Sequence, residues 1–501
     1  MAKRRTQAEL ALEAQAQVAK EEARLKLEVL RNKRKAARMR RAAAMSVHRA
    51  AEQNRFTRDW RAPATSADSE IVADLPRLNA RARQVVRDDA WGKSIVRAFK
   101  RNVIGTGITM SCDGQPFAED WKSWSEDPQR VDIEGKRDLI AIQQWAIGEL
   151  VVVGEAFVVR WIMGSGANRY LKLQCFEYEQ LDRYKIQEES TKNEVRNGIE
   201  IDENGKAVAY HFYRDHPHDI RGLSRPAPIL MDTIRIPASM VTHFYDPERV
   251  RQSHGISRLA PVLRRLRDLA EYDAAQLRVA RAEASIGLLI KGNDDEGDPL
   301  ELDGLNVAYL NEDEEVTQFT PQRPGNTYDP FVRTQLKAIA AGVGISYSQI
   351  ARDFDSGTFG SKRQENIEDR REFNPLIRLG TNGLCRPVFS DWYFIWASVN
   401  YEKSGDYFLG GPEPRLPWMG QGFEWVDPEQ QGKGIERQMR LGLTSRTEQA
   451  NLLGRSLQEI DREIQSDGTL DFLTEQESDG RENPSPDSAT PTESETEAVD
   501  A

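Results

Sequence analysis

A helical period held for about thirty residues constrains this chain more than any other feature. Across 257–286, Leu259, Val262, Leu263, Leu266, Leu269, Ala270, Leu277, Ala280 and Ala284 return close to every 3.6 positions, which makes one face of a helix apolar. Ser257 stands where an N-cap belongs, and Pro261 falls in the first turns, where its missing N–H does little harm. Arg264, Arg267, Arg278 and Arg281 share another face. At about 1.5 Å per residue such a helix is roughly 45 Å long, more than the interior of a compact domain holds. It must project.

The next hundred residues complete a stalk. Segment 287–328 reads as short strands and turns, dense in acid (Asp294, Asp295, Glu296, Asp298, Glu312, Asp313, Glu314, Glu315) and broken by Gly292, Pro299, Pro321 and Pro324. A second helix over 330–341 carries Phe331, Leu336, Ile339 and Ala340 on its apolar side and ends at Gly342-Val343-Gly344. Residues 346–360 are small and polar enough to form a mobile loop. A third helix begins near Ser361 with charges of alternating sign, including Lys362, Arg363, Glu365, Glu368 and Asp369. Helix, excursion, returning helix and loop make a protrusion and not a catalytic pocket.

At 501 residues the chain has ample material for at least two compact units. Hydrophobic content of 39% and charged content of 30% describe a charge-rich chain, and no apolar run reaches the roughly 18 residues of a membrane span. No secretory signal is expected at the N-terminus, which lacks an apolar core segment. Cys112, Cys175 and Cys385, odd in number and widely spaced, fit a reducing compartment. Residues 8–49 are nearly all good helix formers, with positive charge gathered at 31–41. That stretch reads either as a solvated helix or as a basic arm for nucleic acid or an acidic partner. The net charge of −11 argues against simple coating of DNA.

Within 73–160 the pattern predicts two helices, a strand with two glycines over 102–108, a helix over 138–150, and a Gly turn into a buried strand. Strands are expected at 171–176, 199–201, 208–213 and 241–245, with Asn204-Gly205 as a hairpin turn. Aromatic residues over 373–399 should be core, 429–443 and 447–463 a helical pair, and 471–501 a disordered acidic tail.

Enzymatic signatures are missing. The glycines of 102–108 lack the third glycine and the lysine of a phosphate loop. His211, His216 and His218 beside Asp219 read as a surface loop and not a metal site, since no Cys or further His stands at ligand spacing. Asp353 and Asp355 have the chemistry of a carboxylate pair, but no His or nucleophile motif accompanies them. No cofactor is expected.

Several ordered blocks resemble the lambda-type portal proteins of tailed bacteriophages. "ADLPRLNARARQVVRDDAWGKSIVRAFKRNVIGTGI" (73–108) is similar to the family's N-terminal block, "VVVGEAFVVR" (151–160) to its Gly-acid strand, and "VAYHFYRDHP" (208–217) more loosely to a later strand. "HFYDPERVRQSHGISRLAPVLRRLRDLAEYDAAQL" (243–277) carries the most diagnostic element, R-x-x-Q-x-x-G-x-S-x-L-A-P leading into a stem helix. "GTFGSKRQE" (357–365) resembles the tunnel-loop motif, with Gly360 where a serine is usual. "WVDPEQQGKGIERQMRLGLTSRTEQANLLG" (425–454) matches a C-terminal helical block.

The resemblance implies an α+β portal fold with wing, long-helix stem, small α/β clip and helical crown, and flexible tails at both ends. Its implied divisions are a basic arm over 1–62, wing over 63–256, first stem helix 257–286 and clip 287–328. The second stem helix would be 329–346, the tunnel loop 347–361, a wing helix 362–400, the crown 401–465 and an acidic tail 466–501. Stem packing would fall to Leu259, Leu263, Leu266 and Leu277, and the clip's acidic surface to Asp294, Asp295, Glu312 and Glu314. The channel-lining loop would present Asp353, Asp355, Ser356, Thr358, Phe359, Ser361, Lys362 and Arg363. The family forms rings, usually of twelve subunits, at one capsid vertex, and double-stranded DNA passes through them without sequence recognition during packaging and ejection. Implied partners are the terminase large subunit, major capsid and scaffold proteins, and neck or head-completion proteins, with the virion and the host cytoplasm as locations. The competing expectation is a nucleic-acid-binding assembly factor acting through the basic N-terminal arm.

Overall fold

The computed structural model describes residues 64–467, apart from 113, 189, 220–232, 292–305, 311–327, 355–356, 405–412 and 423–427, together with fragments of 24–62. Contacts divide the chain after Ser66. In the N-terminal unit, residues 30–35 are helical, as their composition favours, with Leu30 exposed.

The body opens with helices α1 (Ala67–Ile71), α2 (Leu75–Asp88) and α3 (Ala90–Phe99). The Asp89 carboxylate caps α3 by accepting the Gly92 N–H at 2.7 Å. Helical turns continue past Phe99 in π register to Ile104. The strand expected over 102–108 is therefore not formed; β1 (Thr109–Met110) starts just beyond it and pairs antiparallel with Trp418–Met419. Helices α4 (Ala118–Ser125) and α5 (Pro128–Val131) lead to α6 (Leu139–Val152), capped by Asp138 through the Ala141 N–H at 2.7 Å. Most of α6 is buried, the signature of a helix surrounded by other elements.

Next come the strands β2 (Glu155–Met163), β3 (Tyr170–Phe176), β4 (Glu194–Arg196), β5 (Ile199–Ile201), β6 (Ala207–Tyr213), β7 (Thr233–Pro237) and β8 (Val241–Tyr245). They form a three-stranded sheet, β3-β2-β8, and a four-stranded sheet, β4-β5-β6-β7, both antiparallel. The four strands expected here are all present, and Asn204-Gly205 turns β5 into β6 with Gly205 at φ +84°. Phe212 of the larger sheet lies 5.5 Å from Phe157 and 4.6 Å from Phe176 of the smaller, so aromatic contact joins the sheets.

Beyond the sheets lie α7 (Leu263–Ser285), β9 (Ile286–Lys291) and β10 (Asn306–Leu310), then α8 (Tyr328–Val343), α9 (Tyr347–Ala351), α10 (Phe359–Gly380) and α11 (Arg386–Ser404). β9 and β10 pair in parallel. Phe389, Trp392 and Tyr393 of α11 are buried against Phe117 and Trp121, ring to ring at 5.1–5.6 Å, which confirms the aromatic core. The chain ends its described course in β11 (Trp418–Met419), α12 (Pro428–Arg440), α13 (Arg446–Leu452) and α14 (Leu457–Ser466). The single helix expected over 447–463 is thus two, because Gly454 takes a left-handed conformation (φ +74°) between them.

The long helix also differs from expectation at its start. Residues 257–262 form tight turns and α7 begins at Leu263, because the Ser257 hydroxyl and the Arg258 N–H both donate to the Val151 carbonyl at the end of α6. The helix of 23 residues is about 35 Å long. It runs antiparallel to α8: Val262 abuts Gly342, Arg265 donates to Gln335 at 2.7 Å, and Tyr272 meets Phe331 at 4.9 Å. Gly344, at φ +87°, closes α8 as its C-cap.

Burial changes along this pair. Leu259, Leu263, Leu266 and Leu269 are buried, as are Leu336, Ile339 and Ala340, whereas Leu277 is 54% and Phe331 43% exposed. The roots of both helices belong to the core of the single chain and their outer halves do not. Leu266→Ala should therefore lower unfolding stability by about 2–5 kcal/mol. Leu277→Ala should change it by less than about 0.5 kcal/mol in the monomer. Denaturant titration followed by tryptophan fluorescence compares them, and equal losses would mean the root has been misplaced.

Candidate functional site

The groups that could act are concentrated where the helix pair joins the body. The sharpest constraint lies between β2 and the turn before α7. Gly154 sits at φ +99°, and a Cβ on Gly255 would fall 2.0 Å from the Gly154 carbonyl oxygen. Only glycine at both positions lets the backbones meet this closely.

Beside that contact Glu155 is fully buried. Its carboxylate accepts from His243 Nε2 at 2.7 Å, from His254 Nδ1 at 3.0 Å and from the Gly255 N–H at 3.2 Å. Burial disfavours the charge, but the His254 and His243 rings outweigh it and hold the carboxyl down at about 2. Burial works against protonation of His254 too, and the Glu155 charge overcomes it, raising the ring above its ordinary range. For His243 burial wins and the ring is held neutral, stacked between Phe157 at 4.5 Å and Tyr245 at 4.1 Å. Gln252, also buried, accepts from the Glu248 and Arg249 N–H groups, both at 3.0 Å, and donates to the His254 carbonyl at 2.7 Å. The motif residues Gln252, Gly255 and Ser257 thereby share one task. They lock the entry of α7 onto β2, β8 and α6. A carboxylate and two imidazoles could serve acid–base chemistry, but Glu155 and His254 are sealed from solvent.

Helix α10 fastens the roots of both helices. The buried Asp369 carboxylate accepts from Ser346 N at 2.8 Å and Ser346 Oγ at 2.7 Å, and Glu365 accepts from Ser348 Oγ at 2.9 Å. Glu372 accepts from Arg258 Nη1 at 2.8 Å, and Asp246 from Arg258 Nη2 at 3.2 Å. Asp369, Glu372 and Arg258 thus connect the chain before α7 and the chain after α8 to α10.

The sequence-predicted loop is partly a helix, since 347–351 form α9. Arg352, left-handed at φ +53°, ends it. Asp353 accepts from Tyr347 Oη at 3.1 Å and pairs with Arg333 of α8 at 3.5 Å, so it is engaged and not a free catalytic carboxylate. Asp355 and Ser356 lie outside the described residues, as does the side chain of Phe359. Thr358 caps α10, its Oγ1 accepting from Ser361 N at 3.3 Å, while Lys362 pairs with Glu365 at 3.5 Å and Arg363 is exposed. The helix begins two residues earlier than the sequence implied. Asp294, Asp295, Glu312 and Glu314 lie outside the described residues. His211 belongs to β6 and is fully buried, which corrects its assignment to a surface loop; His216 and His218 do lie in the loop after β6.

Sequence reasoning missed Glu155, His243, His254, Asp369 and Glu372. A glutamate opening an otherwise apolar strand was the available signal for Glu155, because a buried carboxylate requires a partner. Nothing local announces that the partners stand 88 and 99 residues away.

Comparison with known proteins places this architecture. A family model described as phage portal protein, lambda family, matches residues 53–376. A probable portal protein of Halomonas phage phiHAP-1 is 28% identical over 410 residues, covering 76% of this chain and 78% of the relative. Portal protein B of Escherichia phage lambda is 21% identical over 392 residues, covering 67% and 71%. Among solved structures, a chain from the virion of the native gene transfer agent particle aligns over 76% of this chain and 93% of its own, with 13% identity and a TM-score of 0.41.

The buried cluster makes stability depend on pH with a defined sign. Glu155, depressed in the fold, contributes fully above about pH 4.3, and that contribution disappears as pH falls toward 2. His254, raised, contributes fully below about 6.5 and loses its contribution as pH rises through its folded value. His243, held neutral, works the other way below about 6.5 and flattens the top of the profile. Glu155→Gln removes the charge that keeps the buried His254 protonated and should cost about 3–5 kcal/mol. Burial then favours the neutral form of both His254 and His243 in the fold while the unfolded chain still takes up their protons. Thermal unfolding scans from pH 3 to 8 should show a lower profile that falls more steeply below about pH 6.5 in the variant; a profile parallel to wild type would remove Glu155 from this role.

Proposed function

The chain belongs to the lambda family of phage portal proteins, and from that premise we propose that its copies close into a ring at one capsid vertex. DNA moves along the axis of that ring during packaging and leaves by it during ejection. The supporting observation is the antiparallel pair α7 and α8, rooted in the body but carrying Leu277 and Phe331 in the open along its outer half. Apolar residues on a projecting helix want cover, and a neighbouring copy at the same height supplies it.

In this reading the stem is α7 with α8, and the wing is the sheets with α2–α6, α10 and α11. The clip is 287–328, through which the terminase large subunit and then neck proteins dock. Major capsid and scaffold proteins meet the outer wing. The crown comprises 401–465, and twelve copies complete the ring. Acidic residues Asp294, Asp295, Glu312 and Glu314 suit a channel mouth that repels phosphate and lets DNA slide. The tunnel segment 347–361 is tied to the stem through Asp353 and Arg333, so a shift of one moves the other. Leu263 and Leu266, expected in the stem packing, are buried within one chain. The seam between copies belongs further out, at Leu277.

Electron microscopy of the purified protein, with mass from light scattering, tests the ring directly. Rings of about a dozen copies with an axial hole are expected. A monomer that binds DNA through residues 1–61, and loses the DNA when they are deleted, would favour the assembly factor instead. Leu277→Asp should abolish rings while leaving the circular dichroism of the monomer unchanged, since an unpaired charge at each interface costs about 3–5 kcal/mol. Normal rings from this variant would displace the seam. Deleting residues 354–357 should spare assembly and impair packaging or retention of DNA; unaltered packaging would take the segment out of the channel.

A further inference from the structure

The four-stranded sheet holds a constellation that the portal role leaves unused. His211 on β6 is fully buried, and among the described residues neither ring nitrogen has a hydrogen-bond partner. Its Nε2 faces two carboxylates, Glu200 Oε2 at 3.5 Å and Glu188 Oε2 at 3.7 Å. Those separations are long for hydrogen bonds. They are close to the roughly 3.3 Å between ligand atoms that tetrahedral zinc, with bonds of about 2.0–2.1 Å, requires.

We propose that Glu188, Glu200 and His211 bind a divalent cation of the zinc type, leaving one coordination position for water. The three ligand atoms already lie within 4.8 Å of one another. Glu200 is oriented from behind: its Oε1 accepts from Thr191 Oγ1 and Asn193 Nδ2, both at 2.8 Å, and Arg235 Nη2 at 3.2 Å, while Oε2 accepts from Arg235 Nε at 2.8 Å. Hydrogen bonds of this kind fix a carboxylate ligand before the ion arrives. Burial, assisted by Lys185, keeps His211 below its ordinary range, so the ring is neutral and has a lone pair to give.

Two cations oppose the ion, and they differ. Arg235 is held in a two-pronged pair with Glu200 and stays. The Lys185 ammonium sits 2.7 Å from the same Glu188 oxygen that faces His211, and its side chain is 27% exposed. It can swing into water. Zinc entry therefore exchanges one Lys185–Glu188 contact for a bridge that fastens the excursion before β4 onto β5 and β6. The alternative cluster of Glu177, Glu179 and His216 fits less well, because none of its three members is buried and His216 Nδ1 already accepts from the His218 N–H at 3.2 Å.

Chelator-stripped, untagged full-length protein dialysed against zinc chloride should retain one tight equivalent per chain. His211→Ala and Glu188→Gln should each lose it, and His216→Ala should keep it. Lys185→Ala should bind at least about tenfold more tightly, since removing a unit charge a few ångströms away exceeds one decade even at an effective dielectric near 20. Glu188 lies at the rim, so its amide variant tests the site even if His211→Ala fails to fold. Absence of a tight equivalent in wild type, its retention in Glu188→Gln, or weaker binding by Lys185→Ala would each overturn the proposal.

Discussion

The mounting of the helix pair α7 and α8 depends on one buried charge and the two glycines beside it. Glu155 can keep its carboxylate ionised in the core only because His254 and His243 reach it, and they reach it only because Gly154 and Gly255 let two backbones touch. An ion pair of this kind is weak evidence for stability, since well-packed apolar groups of the same volume are often at least as favourable. Its value here is directional. Hydrogen bonds to one carboxylate fix where the turn before α7 lies against β2 and β8, and a mere apolar contact would permit several such placements.

A second anchor, built with different chemistry, reaches the same place from α10. Asp369 holds the chain leaving α8 and Glu372 holds Arg258 ahead of α7, so the two helices share one mounting. The paired anchors explain why the diagnostic motif contains no chemistry of its own. Gln, Gly and Ser in R-x-x-Q-x-x-G-x-S are there for geometry. Gln252 closes a turn, Gly255 permits contact and Ser257 caps the end of α6. The fold serves the family's function through position, and the carboxylates that resemble catalytic ones are occupied in holding it.

Much of this was legible in the sequence, and the misses have physical causes. Periodicity found both long helices but began α7 six residues early, because Leu259 and Val262 keep the helical phase while their segment turns tightly to meet Val151. It also placed Leu277 in the same packing as Leu263. A helical stripe records which face is apolar and not what covers it, so a root and an exposed outer half look alike. Strands declared themselves through β-branched and aromatic residues, and the hairpin through Asn204-Gly205. The partners of Glu155 and His211 could not be read from the sequence, since they come from strands and turns that only the folded sheets bring together.

Helix α7 ends at Ser285 and β9 begins at Ile286, with no residue between them. A loop there would act as a joint and absorb torque applied at the strand pair. The helix is a lever of about 35 Å whose buried bearing is the short stretch from Leu263 to Leu269. A small sideways force at the outer end is thus returned, multiplied by the ratio of the two arms, on the turn that holds His254.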